Sequence, residues 1–101
     1  MERRLKLHNT LFDILGTSDV YFQPPASIEM SYPAIKYELS DIRNNFADDD
    51  VYKQSYFYEI TLIDYDPDSE IVSKLSKLPK IRFNRHYKAD NLNHYVFTIY
   101  Y

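Results

Sequence analysis

Cysteine is absent from this chain of 101 residues, and glycine occurs once, at Gly16. Without cysteine there is neither a disulfide framework nor a thiolate zinc site. A single glycine rules out a Walker loop, a GxGxxG fingerprint and any glycine-rich phosphate cradle. It equally rules out a GxSxG nucleophile elbow. Long apolar runs are missing too, since none approaches the roughly 18 residues of a membrane span. The opening segment, Met1–Gly16, leads with basic residues, but His8, Asn9 and Asp13 interrupt the apolar region a signal peptide needs. Strong positive charge is lacking as well. The formal net charge of −3 gives no basis for sequence-independent nucleic-acid binding, which rests on a basic surface.

What is present points to a soluble globular chain, with 45% hydrophobic and 27% charged residues. The length suits one domain, 1–101, which buries roughly two-thirds of its unfolded surface. The eleven tyrosines stand out. Tyr is rigid and amphipathic, so it suits half-buried strand faces and protein interfaces. It also stacks on bases in single-strand binders. With no basic groove in the sequence, the core-and-interface reading is the better one.

Periodicity predicts a helix over about 3–15, with Leu7, Leu11, Ile14 and Leu15 on one stripe and Gly16 as the left-handed residue that ends it. A short strand, Val20–Phe22, stops at Pro24-Pro25, and the stretch to Tyr32 reads as loop. Ala34–Leu39 alternates as a half-buried strand. Ser40–Gln54 is polar and acidic with isolated Ile42, Phe46 and Val51, which predicts a long acidic loop (40–54) between two strands. Ser55–Asp64 is apolar on both faces, the mark of a central strand covered on both sides. Asp66 as N-cap and Pro67 at N1 start a second helix that buries Ile71, Val72, Leu75 and Leu78 and stops at Pro79. Two further strands, 81–87 and 93–101, flank a turn at Lys88–Asn91, where Asp90 and Asn91 replace glycine. The expected fold class is α+β. A mixed or antiparallel sheet of about four to five strands packs with two helices, in the order α-β-β-β-α-β-β.

No constellation of side chains demands catalysis. Asp48, Asp49 and Asp50 form the densest acidic cluster, but successive side chains diverge and nothing completes a calcium-loop spacing, so a solvated loop is expected. His86 and His94 flank the last turn with Asp90 between them, yet the spacing does not require a metal. The expectation is no catalytic residue, no metal and no cofactor. Arg82, Arg85, His86 and Lys88 form a short basic stretch. It is weak as a nucleic-acid patch but suited to meeting an acidic neighbour, for which Asp48–Asp50 are the candidates.

Five segments also carry a family resemblance: Tyr32–Tyr37 (YPAIKY), Tyr58–Asp64 (YEITLID), Asp66–Glu70 (DPDSE), Ala89–His94 (ADNLNH) and Phe97–Tyr100 (FTIY). In this order and spacing they resemble the tail-completion or tail-terminator proteins of long-tailed bacteriophages. One departure is that this family often has an acidic residue after the ADNLNH histidine, where this chain has Tyr95. The resemblance implies a structural virion protein, not an enzyme. It implies a homo-oligomeric ring, commonly a hexamer, that caps the tail tube and joins it to the head connector while genomic DNA passes without specific binding. The implied partners are its own copies, the tail-tube protein and a head-closure or connector protein, with no membrane. The implied location is the virion neck, and the host cytoplasm during assembly. In such a ring the segment Arg43, Asn44, Asn45, Phe46 and Asp48–Asp50 is expected at the lumen or against an adjacent ring. Competing readings are a head-closure protein, a Tyr-rich single-strand nucleic-acid binder, and a metal-dependent nuclease built on Asp48–Asp50.

Overall fold

The computed structural model describes residues 2–25, 29–47 and 50–100, with backbone only at 2, 45–47 and 50–53. In chain order the elements are α1 (Glu2–Leu15), β1 (Val20–Phe22), β2 (Ala34–Ala47), β3 (Asp50–Asp64), α2 (Glu70–Ser76), β4 (Ile81–Ala89) and β5 (Leu92–Tyr100). The fold is α+β, two helices on a five-stranded mixed sheet ordered β1-β2-β3-β5-β4. All pairings are antiparallel except β1 with β2.

Because side chains alternate along a strand, the register divides the sheet into two faces. Ile35, Tyr37, Tyr58, Ile60, Leu62, Tyr95, Phe97 and Ile99 share the face covered by the helices, and all are buried. Leu7, Leu11 and Leu15 of α1 and Leu75 of α2 close over them. Each fully buried Leu, Ile or Phe contributes about 1.5–3 kcal/mol relative to exposure. The α1 stripe is as its spacing predicts, and Gly16, at φ +81°, ends the helix by donating to the Phe12 carbonyl at 2.9 Å.

The opposite face has no helix. Thr61, Ile63 and Val96 are nevertheless buried there, so the middle of β3 is covered on both sides. Part of that cover is the β1–β2 connection. Parallel neighbours need a crossover, and Pro24, Pro25, Met30 and Tyr32 line a cavity of about 340 Å³ with Lys36, Glu59, Thr61 and Ile63.

Two expectations change. The segment Ser40–Gln54 is not a loop. β2 and β3 stay paired from Ala34↔Ile63 out to Ala47↔Asp50, making one long hairpin. The register slips at Leu39/Asp41, where Ser40 is the extra residue, and again at Asn45/Phe46. Each slip shifts the alternation by one residue, which breaks the period that identifies a strand. Asp66 is likewise not the N-cap of α2. Ser69 is, its Oγ accepting from the Ile71 amide at 3.3 Å. The acids before it hold a turn: Asp64 Oδ1 accepts from the Asp66 amide and Asp66 Oδ1 from the Asp68 amide.

Candidate functional site

The outer half of the β2–β3 hairpin stands clear of the rest of the sheet. β5 pairs with β3 only from Phe57 onward, and β1 pairs with β2 only over Ile35–Tyr37. Beyond these points the two strands bond only to each other, forming an arm. At about 3.3 Å per residue the stretch from Ile42 to Ala47 projects roughly 20 Å, and the molecule measures 51 × 24 × 24 Å. Among the described residues between Glu38 and Phe57 none is fully buried; Tyr56, under the Arg3 guanidinium of α1, alone packs against the core. The arm root carries exposed apolar groups, Leu39 at 39% and Ile42 at 42%.

Of the residues expected at the functional segment, Arg43, Asn44, Asn45 and Phe46 lie on β2, and Asp50 opens β3 opposite Ala47. Asp48 and Asp49 lie outside the described residues. Arg43 donates Nε to Asp41 at 2.9 Å in an exposed ion pair, and its guanidinium lies 4.6 Å from the Phe57 ring centre. Pairs this exposed contribute little, about 0–1 kcal/mol, so they leave the charges available to a partner.

The basic group Arg82, Arg85, His86 and Lys88 lies on β4, the outermost strand on the other side of the sheet, and all four are exposed. The register separates them by face. Arg82 and Arg85 share the helix-free face with Tyr87 and His94, whereas His86 lies on the other face beside Tyr95, its ring 4.8 Å away. His86 and His94 therefore do not converge. His86 Nε2 bonds to Asn93 Oδ1 at 3.0 Å, while His94 Nδ1 meets the Leu92 carbonyl at 3.1 Å. No group of three His, Asp or Glu poised to hold a metal is found among the described residues.

The structure adds partners that sequence spacing did not reveal. Lys80, Arg82 and Arg43 surround a shallow basin of about 460 Å³ on the helix-free face, floored by Phe57 and Tyr100. These rings stack at 5.5 Å, with Lys80 Nζ 4.7 Å from the Tyr100 ring centre. Arg43 reaches this basin from a different strand, so no local motif marks it. The Tyr95 hydroxyl was also not read from the sequence. It donates towards the carbonyls of Pro67 and Asp66, at 2.8 and 3.1 Å, tying the entry of α2 to β5. Burial raises the pKa of this phenol, and Asp64, Asp66 and Asp68 add to the effect.

A second buried network joins α1 to the sheet. Arg4 Nη1 lies 3.4 Å from the Tyr37 hydroxyl, which lies 2.7 Å from His8 Nδ1. Burial, then the Arg4 charge, lowers the pKa of His8. A neutral imidazole accepting from the phenol fits that direction. This network ties α1 to β2.

Among known proteins, no family model and no curated sequence matches this chain. No described helix is long and apolar enough to cross a membrane.

Proposed function

We propose that this chain is a structural virion protein of the tail-terminator type, a ring-forming neck component that caps the tail tube and joins it to the head connector. The observation that carries the reading is the arm. Among the described residues it contributes no fully buried core residue, only Tyr56 at its root packing against the core; it exposes Leu39 and Ile42, and its backbone edges beyond β1 and β5 are unpaired. A two-stranded hairpin alone is marginally stable in water, so an arm of this kind is suited to gaining its neighbours from another subunit. Ring formation needs a heterologous interface that closes on itself, and the arm and the basic β4 strand are different surfaces on opposite sides of one sheet. The segment resemblance supplies the setting: a conduit through which DNA passes. The acidic run Asp48–Asp50, which follows Ala47 in sequence, would repel phosphate and suit a lumen. The proposed role is not enzymatic.

Negative-stain electron microscopy and light scattering of the purified chain test the reading. Closed rings of a single stoichiometry support it. A chain that remains monomeric at high concentration, alone and with tail-tube subunits, refutes it.

The single-strand nucleic-acid reading gains one observation, since Arg43 and Lys80 join Arg82 around aromatic rings. Those rings are already engaged, however: Arg43 covers Phe57, Lys80 covers Tyr100, and Tyr87 stacks on His94 at 4.7 Å. Base stacking requires an open ring face, so the structural reading is preferred. An oligonucleotide titration at low salt showing no binding agrees with it.

A further inference from the structure

The β4 strand is an edge with an unusual combination of properties. It is nine residues long, exposed along seven consecutive positions, and hydrogen-bonded on one side only. Every formal charge on it is positive (Arg82, Arg85 and Lys88), and it exposes Phe83 at 48% and Tyr87 at 39%. Long, exposed edges are templates for strand addition unless something guards them. The cations guard this one against a basic strand and against another copy of β4, but not against a neutral or acidic one.

The same chain presents a matching edge. Beyond Tyr37 the outer side of β2 has no strand neighbour among the described residues, leaving Leu39–Ala47 unpaired, the same length as β4 (9 residues). On this edge the charges balance: Asp41 and Arg43 form an ion pair on the helix-free face, the face that holds Arg82 and Arg85, and Leu39 and Ile42 lie on the helix side, the face that holds Phe83. The edge leads directly into Asp48–Asp50. Because β2, β3, β5 and β4 alternate in direction, β2 and β4 run antiparallel within one sheet. A second copy added without turning over therefore pairs its β2 edge antiparallel to β4, and like faces align. The two edges point to opposite sides of the sheet, so the contact is head-to-tail and leaves a free β4 and a free arm at the ends of every chain of copies.

We infer that the chain self-associates by strand addition, the Leu39–Ala47 edge of one copy pairing with the Ile81–Ala89 edge of the next to make a sheet continuous across subunits. The occupant of the β4 edge is a second copy of this chain. The inference deepens the ring reading and rests on it for closure, but it specifies which strands meet.

The absence of cysteine makes a direct test available. Strands paired antiparallel place opposed Cα atoms about 4.5–5.5 Å apart, within disulfide reach. Arg43→Cys protein is mixed, at low salt under mild oxidation, with Arg82→Cys, Arg85→Cys or Tyr87→Cys protein, all at exposed positions on one face. Circular dichroism first confirms that each variant is folded. The expected result is that at least one mixture shifts most of the chain to doubled mass on a non-reducing gel, whereas each variant alone does not. Ser55→Cys, on the same face of the arm but on β3, is expected not to crosslink to β4. Strong self-crosslinking of Arg85→Cys would mean a two-fold β4–β4 contact and overturn the inference. Crosslinking of Ser55→Cys to β4 in place of Arg43→Cys would overturn it as well. Rings by microscopy with no crosslink in any mixture would overturn the strand assignment and leave the ring reading intact. Crosslinked open filaments would do the reverse, and a chain that never self-associates removes both.

Discussion

Excising the arm separates its role in folding from its role in assembly. The perturbation replaces residues 44–54 with Asn-Gly, joining Arg43 to Ser55, which are already cross-strand partners. Asn-Gly favours the two-residue hairpin turn whose twist matches the strands. No buried core residue lies between Glu38 and Phe57 among those described, and Tyr56, which packs against the core, is retained. What is lost is a ladder of backbone hydrogen bonds at the outer end of the hairpin. Against that, a shorter connection lowers loop-closure entropy by about 0.6 kcal/mol per halving. Surface changes away from caps and cores fall within about ±0.5 kcal/mol. The monomer is therefore expected to keep its unfolding free energy to within about 1 kcal/mol, while self-association is lost. Urea unfolding followed by circular dichroism measures the first quantity, and light scattering across a concentration series the second. A loss of about 3 kcal/mol or more would show that the arm folds as part of the core and refute the argument. Unchanged assembly would show that the arm is not the interface.

Three further outcomes are expected. Tyr95→Phe removes the donor that ties α2 to β5 and should lower stability by about 1 kcal/mol, the usual net value of such a bond; an unchanged urea midpoint would mean that water replaces the hydroxyl. Because the folded pKa of His8 is lowered, its stabilising contribution is complete above the unfolded value of 6.5 and declines as pH falls through 6.5 towards the folded value. The urea midpoint should therefore drop on acidification through that window and His8→Gln should flatten the slope, whereas an unaltered slope would place the titration elsewhere. Glu38 and Glu59 face each other across β2 and β3, and like charges so placed are destabilising. Glu38→Lys should raise stability by about 0.5 kcal/mol at low salt, with the gain shrinking in high salt.

The elements built on burial could be read from the sequence, and those built on solvent or on distant contacts could not. The α1 stripe, the centre of β3, and the Asp90-Asn91 turn, with φ of 53° and 63°, each follow from local chemistry. The arm did not announce itself because Leu39–Asn44 are exposed on both faces, with no apolar alternation, and because Ser40 shifts the phase between Leu39 and Ile42. The start of α2 was misread because several successive residues can cap. Asp66 serves the turn through its bond to the Asp68 amide, and Ser69 is left to cap the helix. Of the candidate sites, the basic stretch was visible as a run of charge. Its meeting with Lys80 and Arg43 was not, since Arg43 arrives through a pairing of strands far apart in the chain.

Tyr95 shows how one residue bears on both halves of this molecule. At that position an acidic side chain would face a buried site beside Asp64, Asp66 and Asp68, the groups that already raise the Tyr95 phenol. A neutral hydroxyl instead donates to the Asp66 and Pro67 carbonyls of the α2 turn. The acidic turn and Asp50 thus lie at opposite ends of β3, while Arg82, Arg85 and Lys88 lie on β4 and Lys80, Arg82 and Arg43 meet Asp41 in the basin at the arm root. Among the described residues the outer arm pairs only along its own hairpin. Between copies, the acidic run Asp48–Asp50 of one chain complements the cations on the β4 edge of the next. Screening falls within a Debye length of about 8–10 Å at moderate salt. An interface steered in this way should therefore associate more slowly as salt rises. Once the strands are joined, the backbone ladder persists, so dissociation should be affected much less. Stopped-flow light scattering would separate the two rates. A salt dependence confined to dissociation would mean that strand pairing comes first and that the charges only lock it.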